Sequence, residues 1–280
     1  MPSVPVLESE GLARAVNLVV PIMGFVLLGM GSMIYLAGVP RSDRLPAVGF
    51  DQVTEVGARL TCAACGAAPI LMLSTAYAGF APLGRLLVFV VIPAYLVIAI
   101  LSILLPAVGR GVITGFLGGI VAVLVYDLMR LALSYSQGGG DPIPHIGTMI
   151  FGDGAPWWIG YLWRTLGNGA GLGVVYGVLC PRQWWGPKTG LAYASMVGLG
   201  MILVLWIFPQ SQDHLFRLSW QTFVNSCLGH ATYGLTLGTM ARAAREKAAV
   251  RRSPGRGRHA RGSAPPDGSE AVTRRMPHVR

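Results

Sequence analysis

Charge is what this chain most lacks. Only 12% of its 280 residues are charged, and two lysines, Lys188 and Lys247, stand beside twenty arginines. A soluble domain carries about 25% charged residues. With 53% hydrophobic residues and a mean hydropathy of +0.56, the chain cannot cover itself with polar surface. It needs lipid as solvent.

Cysteine is also scarce. The four cysteines, Cys62, Cys65, Cys180 and Cys227, do not form the dense extracellular pattern of a disulfide framework. Cys62-Ala-Ala-Cys65 places two thiols on one helix face, near the membrane level of Cys180. No fourth ligand accompanies them, and small buried cysteines are ordinary packing residues. Nothing matches HExxH, GxSxG or a P-loop, so no enzyme class and no cofactor is indicated. Of the five histidines, only His230 falls within an apolar run. Bis-histidine haem ligation needs a second at membrane depth, and His145 and His214 lie in loops. Asp141, His145 and Asp153 lack metal-site spacing, so no metal is expected.

What is present is long apolar runs. Each span needs roughly 20 residues, and the pattern predicts an all-helical transmembrane bundle with spans at 16–38, 57–79, 84–106, 111–135, 157–180, 189–208 and 220–242. The run 57–79 is the weakest, with Asp51, Glu55 and Arg59 near its start and a body of Ala, Thr and Cys; read as an amphipathic or re-entrant segment, it leaves six spans. Glu8 and Glu10 precede the first run. A secretory signal has a basic start and a shorter apolar region, so 16–38 is read as a retained helix.

Loop charges set the expected orientation, since cytoplasmic loops collect Lys and Arg. From residue 242 to 280 there are eleven basic and three acidic residues, which places the tail inside. Loop 181–188 carries Arg182 and Lys188 and is also inside. Loop 136–156 carries Asp141 and Asp153 with no base and is outside. Seven spans then put the N-terminus outside. Trp157, Trp158, Trp163, Trp206 and Trp220 fall at the outer interface, and Trp184 and Trp185 at the inner one, where amphipathic rings are favoured. The arginine bias, with abundant Ala, Gly and Val, points to a high-GC bacterial genome and hence to the bacterial plasma membrane.

Three regions follow: residues 1–106 with three helices, 107–243 with four, and a basic tail, 244–280. The tail is Arg, Gly, Pro and Ser with few large apolar groups, too few to offset ordering entropy. Clustered basic residues beside a membrane helix attract anionic lipids, about 1 kcal/mol each. No aromatic interleaving supports nucleic-acid binding.

Glycines recur every four residues at Gly111, Gly115 and Gly119, at Gly169, Gly173 and Gly177, and at Gly234 and Gly238. Such stripes let helices approach closely, where packing replaces the missing hydrophobic drive. They serve packing inside the bundle or association with a partner or a second copy. Gly173-Val-Val-Tyr176-Gly177 echoes His230-Ala-Thr-Tyr233-Gly234, so the last four spans read as a duplicated helical hairpin.

Residues 107–243 resemble uncharacterised bacterial inner-membrane proteins of the YagU-like kind. The resemblance rests on Gly118-Gly119-Ile-Val-Ala with Asp127 and Arg130, on Gly160-Tyr161-Leu-Trp-Arg164 with Gly167, and on Gly229-His230-Ala-Thr-Tyr233-Gly234-Leu-Thr-Leu237-Gly238. In that family a His often stands near the Arg164 position, and Arg164 departs from it. The family implies a membrane bundle and no established activity.

Polar groups inside spans are costly and face the bundle interior. Asp127 and Arg130 share a helix face, as do Arg164 and Asn168; Asn225 and His230 lie on the last span. Asp127, Arg164 and Asn225 sit at similar depths, roughly 8–12 Å from the outer helix ends. The expectation is an outward-facing cluster of Asp127, Arg130, Arg164, Asn168, Asn225 and His230, with Asp127 paired to Arg164 or Arg130. One carboxylate against two arginines predicts a net positive site, suited to an anion. The expected function is small-molecule or anion binding or transport; the alternative is a structural subunit that docks on a partner through its glycine faces.

Overall fold

A computed structural model describes residues 50–136 and 140–251. Among the described residues all regular structure is helical. Helix α1 is Phe50–Tyr77. Helix α2 is the run Leu83–Leu104, with a π segment at Leu87–Val91. Helix α3 is Pro106–Ser136, and α4 is Ile143–Phe151. Helix α5 combines Trp158–Leu162, a π segment Trp163–Gly169, and Ala170–Leu179. Helices α6, Pro187–Ile207, and α7, Trp220–Arg251, complete the set.

Four of these stretches are long and apolar enough to cross a membrane: Val53–Tyr77, Leu83–Leu104, Pro106–Ser136 and Pro187–Ile207. The weakly marked run 57–79 therefore belongs to one unbroken helix. Helix α5 is interrupted by its π segment, and α7 carries Gln221, Asn225, His230 and a basic end. The run 16–38 lies outside the described residues.

The helix ends follow from local chemistry. Gly79, with φ of 78°, ends α1: its N–H bonds the Ala76 carbonyl and the Phe80 N–H reaches Thr75, the reciprocal closure that a left-handed glycine permits. Leu105 and Phe208 both leave the helical region, with ψ of 83° and 81°, because a proline follows each and disfavours helical backbone there. Pro106 and Pro187 then open α3 and α6, where a missing N–H costs nothing. In α2, Pro93 removes a backbone donor, and the ladder widens just before it, with the Ile92 N–H bonding Leu87 five residues back. Such a π turn relieves the clash between a proline ring and the preceding turn.

Loop 136–156, read from its charges as external, holds α4. At nine residues, α4 is too short to register as a span. It is held by Ile143 and Ile146, both buried, and by two glycines. A Cβ on Gly160 would strike the Ile143 carbonyl, and one on Gly84 would lie 2.6 Å from the Ile150 carbonyl.

Contacts divide the chain into the units Met1–Arg245 and Glu246–Arg280. Within the first, α5 is the central helix: every residue from Ala170 to Val178 is buried. It packs antiparallel on α3 through facing glycines. Gly115 meets Gly173, Gly111 meets Gly177, and Gly119 meets Gly169, each so closely that an added Cβ would enter the opposing carbonyl or side chain. Gly66 of α1 meets Gly171 in the same way, and Gly190 of α6 meets Gly234 of α7. The glycine stripes are thus spent inside the chain. Tyrosines tie other helices to α5: half-buried Tyr95 and buried Tyr233 and Tyr193 donate to the carbonyls of Leu166, Gly169 and Leu172.

Candidate functional site

The centre of the site is the π segment of α5. There the Ala170 N–H bonds the Thr165 carbonyl, five residues back, as well as that of Gly167. The Leu166 carbonyl, which Ala170 would serve in a regular α-helix, takes the Tyr95 hydroxyl instead. Widened turns of this kind are frequent at functional sites, and this one carries both Arg164 and Asn168.

Arg164 binds Asp127 of α3 through Nε, at 3.0 and 3.3 Å from the two carboxylate oxygens. Arg130, one turn beyond Asp127, bonds the same carboxylate at 3.2 Å and reaches Asp141 at 2.9 Å. Asp141 also accepts from the Tyr161 hydroxyl and from the Ile143 N–H. The network is continuous from Arg164 through Asp127 and Arg130 to Asp141 and Tyr161, and it joins α3, α4 and α5. One donor, Arg130 Nη2, is buried without a partner among the described residues.

Asp141 changes the charge balance. The sequence reading counted one carboxylate against two arginines. The fold brings a loop carboxylate onto the outer side of Arg130, so two acids face two bases. The site is neutral, and the electrostatic ground for preferring an anion is gone. Burial alone would raise the Asp141 carboxyl, but the Tyr161 hydroxyl, the Ile143 N–H and Arg130 hold it below its ordinary range.

Arg164 has a second neighbour. Its guanidinium carbon lies 4.6 Å from the centre of the Tyr126 ring, a distance suited to a cation–π contact. His230 meets the same ring edge-on at 5.7 Å. Two glycines make room for these rings. A Cβ on Gly229 would sit 2.5 Å from the Tyr126 ring, and one on Gly198 would sit 2.8 Å from the His230 ring. His230 Nδ1 is 2.8 Å from the Ser226 carbonyl oxygen. A carbonyl only accepts, so Nδ1 carries the proton, and Nε2 is the acceptor in the neutral ring.

Beside this group is a cavity of about 120 Å³, room for several waters or a small molecule. Arg164, Asn168, Tyr126 and His230 line it, with Tyr77 and Ser74 of α1, Ser211 after α6, and apolar side chains from α4, α5 and α6. Tyr77 is 5% exposed, Asn168 4% and Ser211 0%. The Tyr77 hydroxyl, Asn168 Oδ1 and the Ser211 hydroxyl have no hydrogen-bond partner among the described residues. Leaving a buried polar group unpaired costs about 1–3 kcal/mol. Three such groups belong to residues that line this one cavity.

Of the six polar residues singled out from sequence, Asp127, Arg130 and Arg164 form the ion network, and Arg164, Asn168 and His230 line the cavity. Asn225, on α7, lies outside the lining. Sequence reasoning missed Tyr77, Tyr126, Asp141 and Ser211. Tyrosine and serine carry no signal by themselves, and Asp141 served only as a marker of an external loop without metal-site spacing. Cys62 and Cys180 are buried free thiols, Cys65 is half-buried and Cys227 exposed. Among the described residues no group of three or more His, Cys, Asp or Glu is placed to hold a metal ion. The chain matches no protein-family model, no curated protein and no solved structure, so the likeness to YagU-like proteins rests on its sequence motifs alone.

Proposed function

We propose that this is a multi-pass protein of a bacterial plasma membrane that binds a small, uncharged polar molecule in the α1–α5–α6–α7 cavity, as a transporter or solute-binding protein does. Seven spans, with the tail inside and the N-terminus outside, are the topology that fits the loop charges and tryptophans. The observation that carries the binding role is an enclosed cavity lined by Arg164, Tyr126 and His230 together with Tyr77, Asn168 and Ser211, three residues with buried polar atoms that lack a partner among the described residues. Their chemistry asks for a guest that both donates and accepts, on a mostly apolar body. The balanced Arg–Asp network holds Arg164 in place and leaves no net charge to attract an ion.

Gly200 provides the test. It lines the cavity, and a Cβ built on it meets nothing within 4 Å. Gly200→Leu therefore plugs the space without removing a polar group. Wild-type and plugged protein purified from native membranes are extracted, and their small molecules compared by mass spectrometry. A compound held by the wild type and lost from Gly200→Leu is the expected result. Equal small-molecule content in the two proteins counts against a binding cavity.

The alternative, a structural subunit, would need a docking face other than the glycine stripes. The stripes of α3, α5 and α7 already pack against other helices of the same chain.

A further inference from the structure

Two histidines join separate pieces of the polar cavity's wall. His145 is on α4, and His214 follows the 3₁₀ turn Pro209–Asp213 after α6. His145 Nε2 and His214 Nδ1 are 3.4 Å apart. The ring planes differ by only 6°, with centroids 5.6 Å apart. Rings stacked face to face with nitrogens at that separation would have much closer centroids. The rings therefore lie edge to edge, and the two nitrogens point at each other. That is the geometry of an N–H···N hydrogen bond, and of a long one, since good bonds span about 2.7–3.2 Å.

Each partner belongs to the cavity's enclosure. Ile143 and Ile146 line the cavity on either side of His145, and Ser211 and Leu215 line it on either side of His214. Tyr77 of α1 lines it too, and its ring lies parallel to that of His214 at 5.7 Å. The row Tyr77–His214–His145 thus crosses α1, the segment after α6, and α4. Among the described residues, the imidazole pair makes the one hydrogen bond that joins α4 to that segment.

An N–H···N bond needs one neutral imidazole, because a charged ring only donates. With both rings charged, two cations face each other at contact distance and the bond becomes a repulsion. Imidazoles change charge between about pH 5 and pH 8. His145 is exposed and His214 half-buried, so solvent protons reach both. Beyond each other, His145 meets the Thr148 hydroxyl at 3.0 Å and His214 meets the Tyr77 ring. Asp213 and Arg217, the nearest charges along the chain from His214, are of opposite sign. Of the charged groups on elements around α4, Asp127, Arg130, Asp141 and Arg164 bond within their own network. Among the described residues no carboxylate, Asp153 and Asp213 included, pairs with either ring, and neither does Arg85 add a bond.

We propose that the His145–His214 pair is a proton-operated gate on the polar cavity. It is closed while one ring is neutral, and it opens when both are protonated and α4 parts from the 209–215 segment. The gate rests on reading that cavity as a solute site, and it names what controls entry.

The test reads water entry rather than binding. The full chain in detergent is labelled by hydroxyl radicals at pH 7.5 and at pH 5, and oxidised residues are located by mass spectrometry. Tyr77, 5% exposed, and Leu205, 1% exposed, report from the cavity lining. Met240, 39% exposed and outside the lining, normalises the radical dose. Acidification should raise oxidation of both reporters about ten-fold in the wild type, as a mostly closed population becomes mostly open. In His145→Gln and in His214→Gln two charges never face each other, so the reporters should stay protected at both pH values. Protection at pH 7.5 also shows that each variant is folded. Wild-type oxidation that ignores pH overturns the gate, and so does an acid response that survives in both variants. A parallel rise at Tyr193, 5% exposed and outside the lining, overturns it in favour of general loosening. Gly200→Leu tests occupancy separately, so the gate and the binding role can fail one without the other.

Discussion

The side chain that holds most together is Asp127. It is 5% exposed and is the shared acceptor of Arg164 and Arg130. Removing one member of a buried ion pair leaves its partner uncompensated and costs about 3–5 kcal/mol. Asp127→Asn should lower the thermal unfolding midpoint in detergent sharply, Arg164→Gln should do likewise, and the double variant should lose less than the two singles combined. Additive losses would show that the two groups act separately. Asp141 supports a pH prediction. Its carboxyl is held below its ordinary range, so the folded state favours the charged form. That contribution is complete above the unfolded value of about 3.9 and fades as pH falls through it toward the folded value. The unfolding midpoint should therefore fall more between pH 5 and pH 3 in the wild type than in Asp141→Asn; parallel curves would sink the assignment.

At the scale of helices, glycine works by absence. Gly115 and Gly173 let α3 and α5 touch backbone to backbone, and an added Cβ at either would enter the other's carbonyl oxygen. Neither backbone can yield cheaply, because Gly111–Gly177 and Gly119–Gly169 pin the same pair of helices on both sides. Gly115→Ala should destabilise by about 1–3 kcal/mol, as overpacking does. Gly57, on the exposed side of α1, has nothing within 4 Å of its Cβ position. Gly57→Ala should stabilise by about 0.5–1 kcal/mol through helix propensity alone. Measured together by the unfolding midpoint, the two substitutions should have opposite signs; the same sign for both would mean that the α3–α5 contact is looser than the geometry requires. The π segment in α5 is an element-scale consequence of similar kind. It turns one carbonyl out of the ladder toward Tyr95 and carries Arg164 toward α3 and Asn168 into the cavity wall.

For the whole molecule, the open question is which side each loop faces. Alkaline phosphatase fused after Gly140 or Leu215 should be active, since these lie in loops read as external, and inactive after Gln183 or Arg251. The reverse pattern would invert the bundle and place the Asp141 end of the ion network toward the cytoplasm. A mixture that fits neither orientation would show that the helix reading of α5 or α7 as spans is wrong.

Much of the architecture was written into the sequence. Scarce charge and long apolar runs specify helices in lipid, because a backbone there must satisfy its own hydrogen bonds. The prolines and Gly79 mark helix ends through local sterics, and the glycine spacing announces close helix contacts without naming the partners. Asp127, Arg164, Asn168 and His230 stood out because polar groups are rare in such runs. The rest was illegible for a physical reason: it depends on residues far apart in the chain meeting in space. Asp141 neutralises the site only because α4 folds back and brings its loop onto Arg130. Tyr77, Ser211 and Asn168 line one cavity only because α1, α5 and the segment after α6 converge. Local preference and lipid solvation fixed the helices; packing between distant segments decided where their polar atoms would be left in want of a partner.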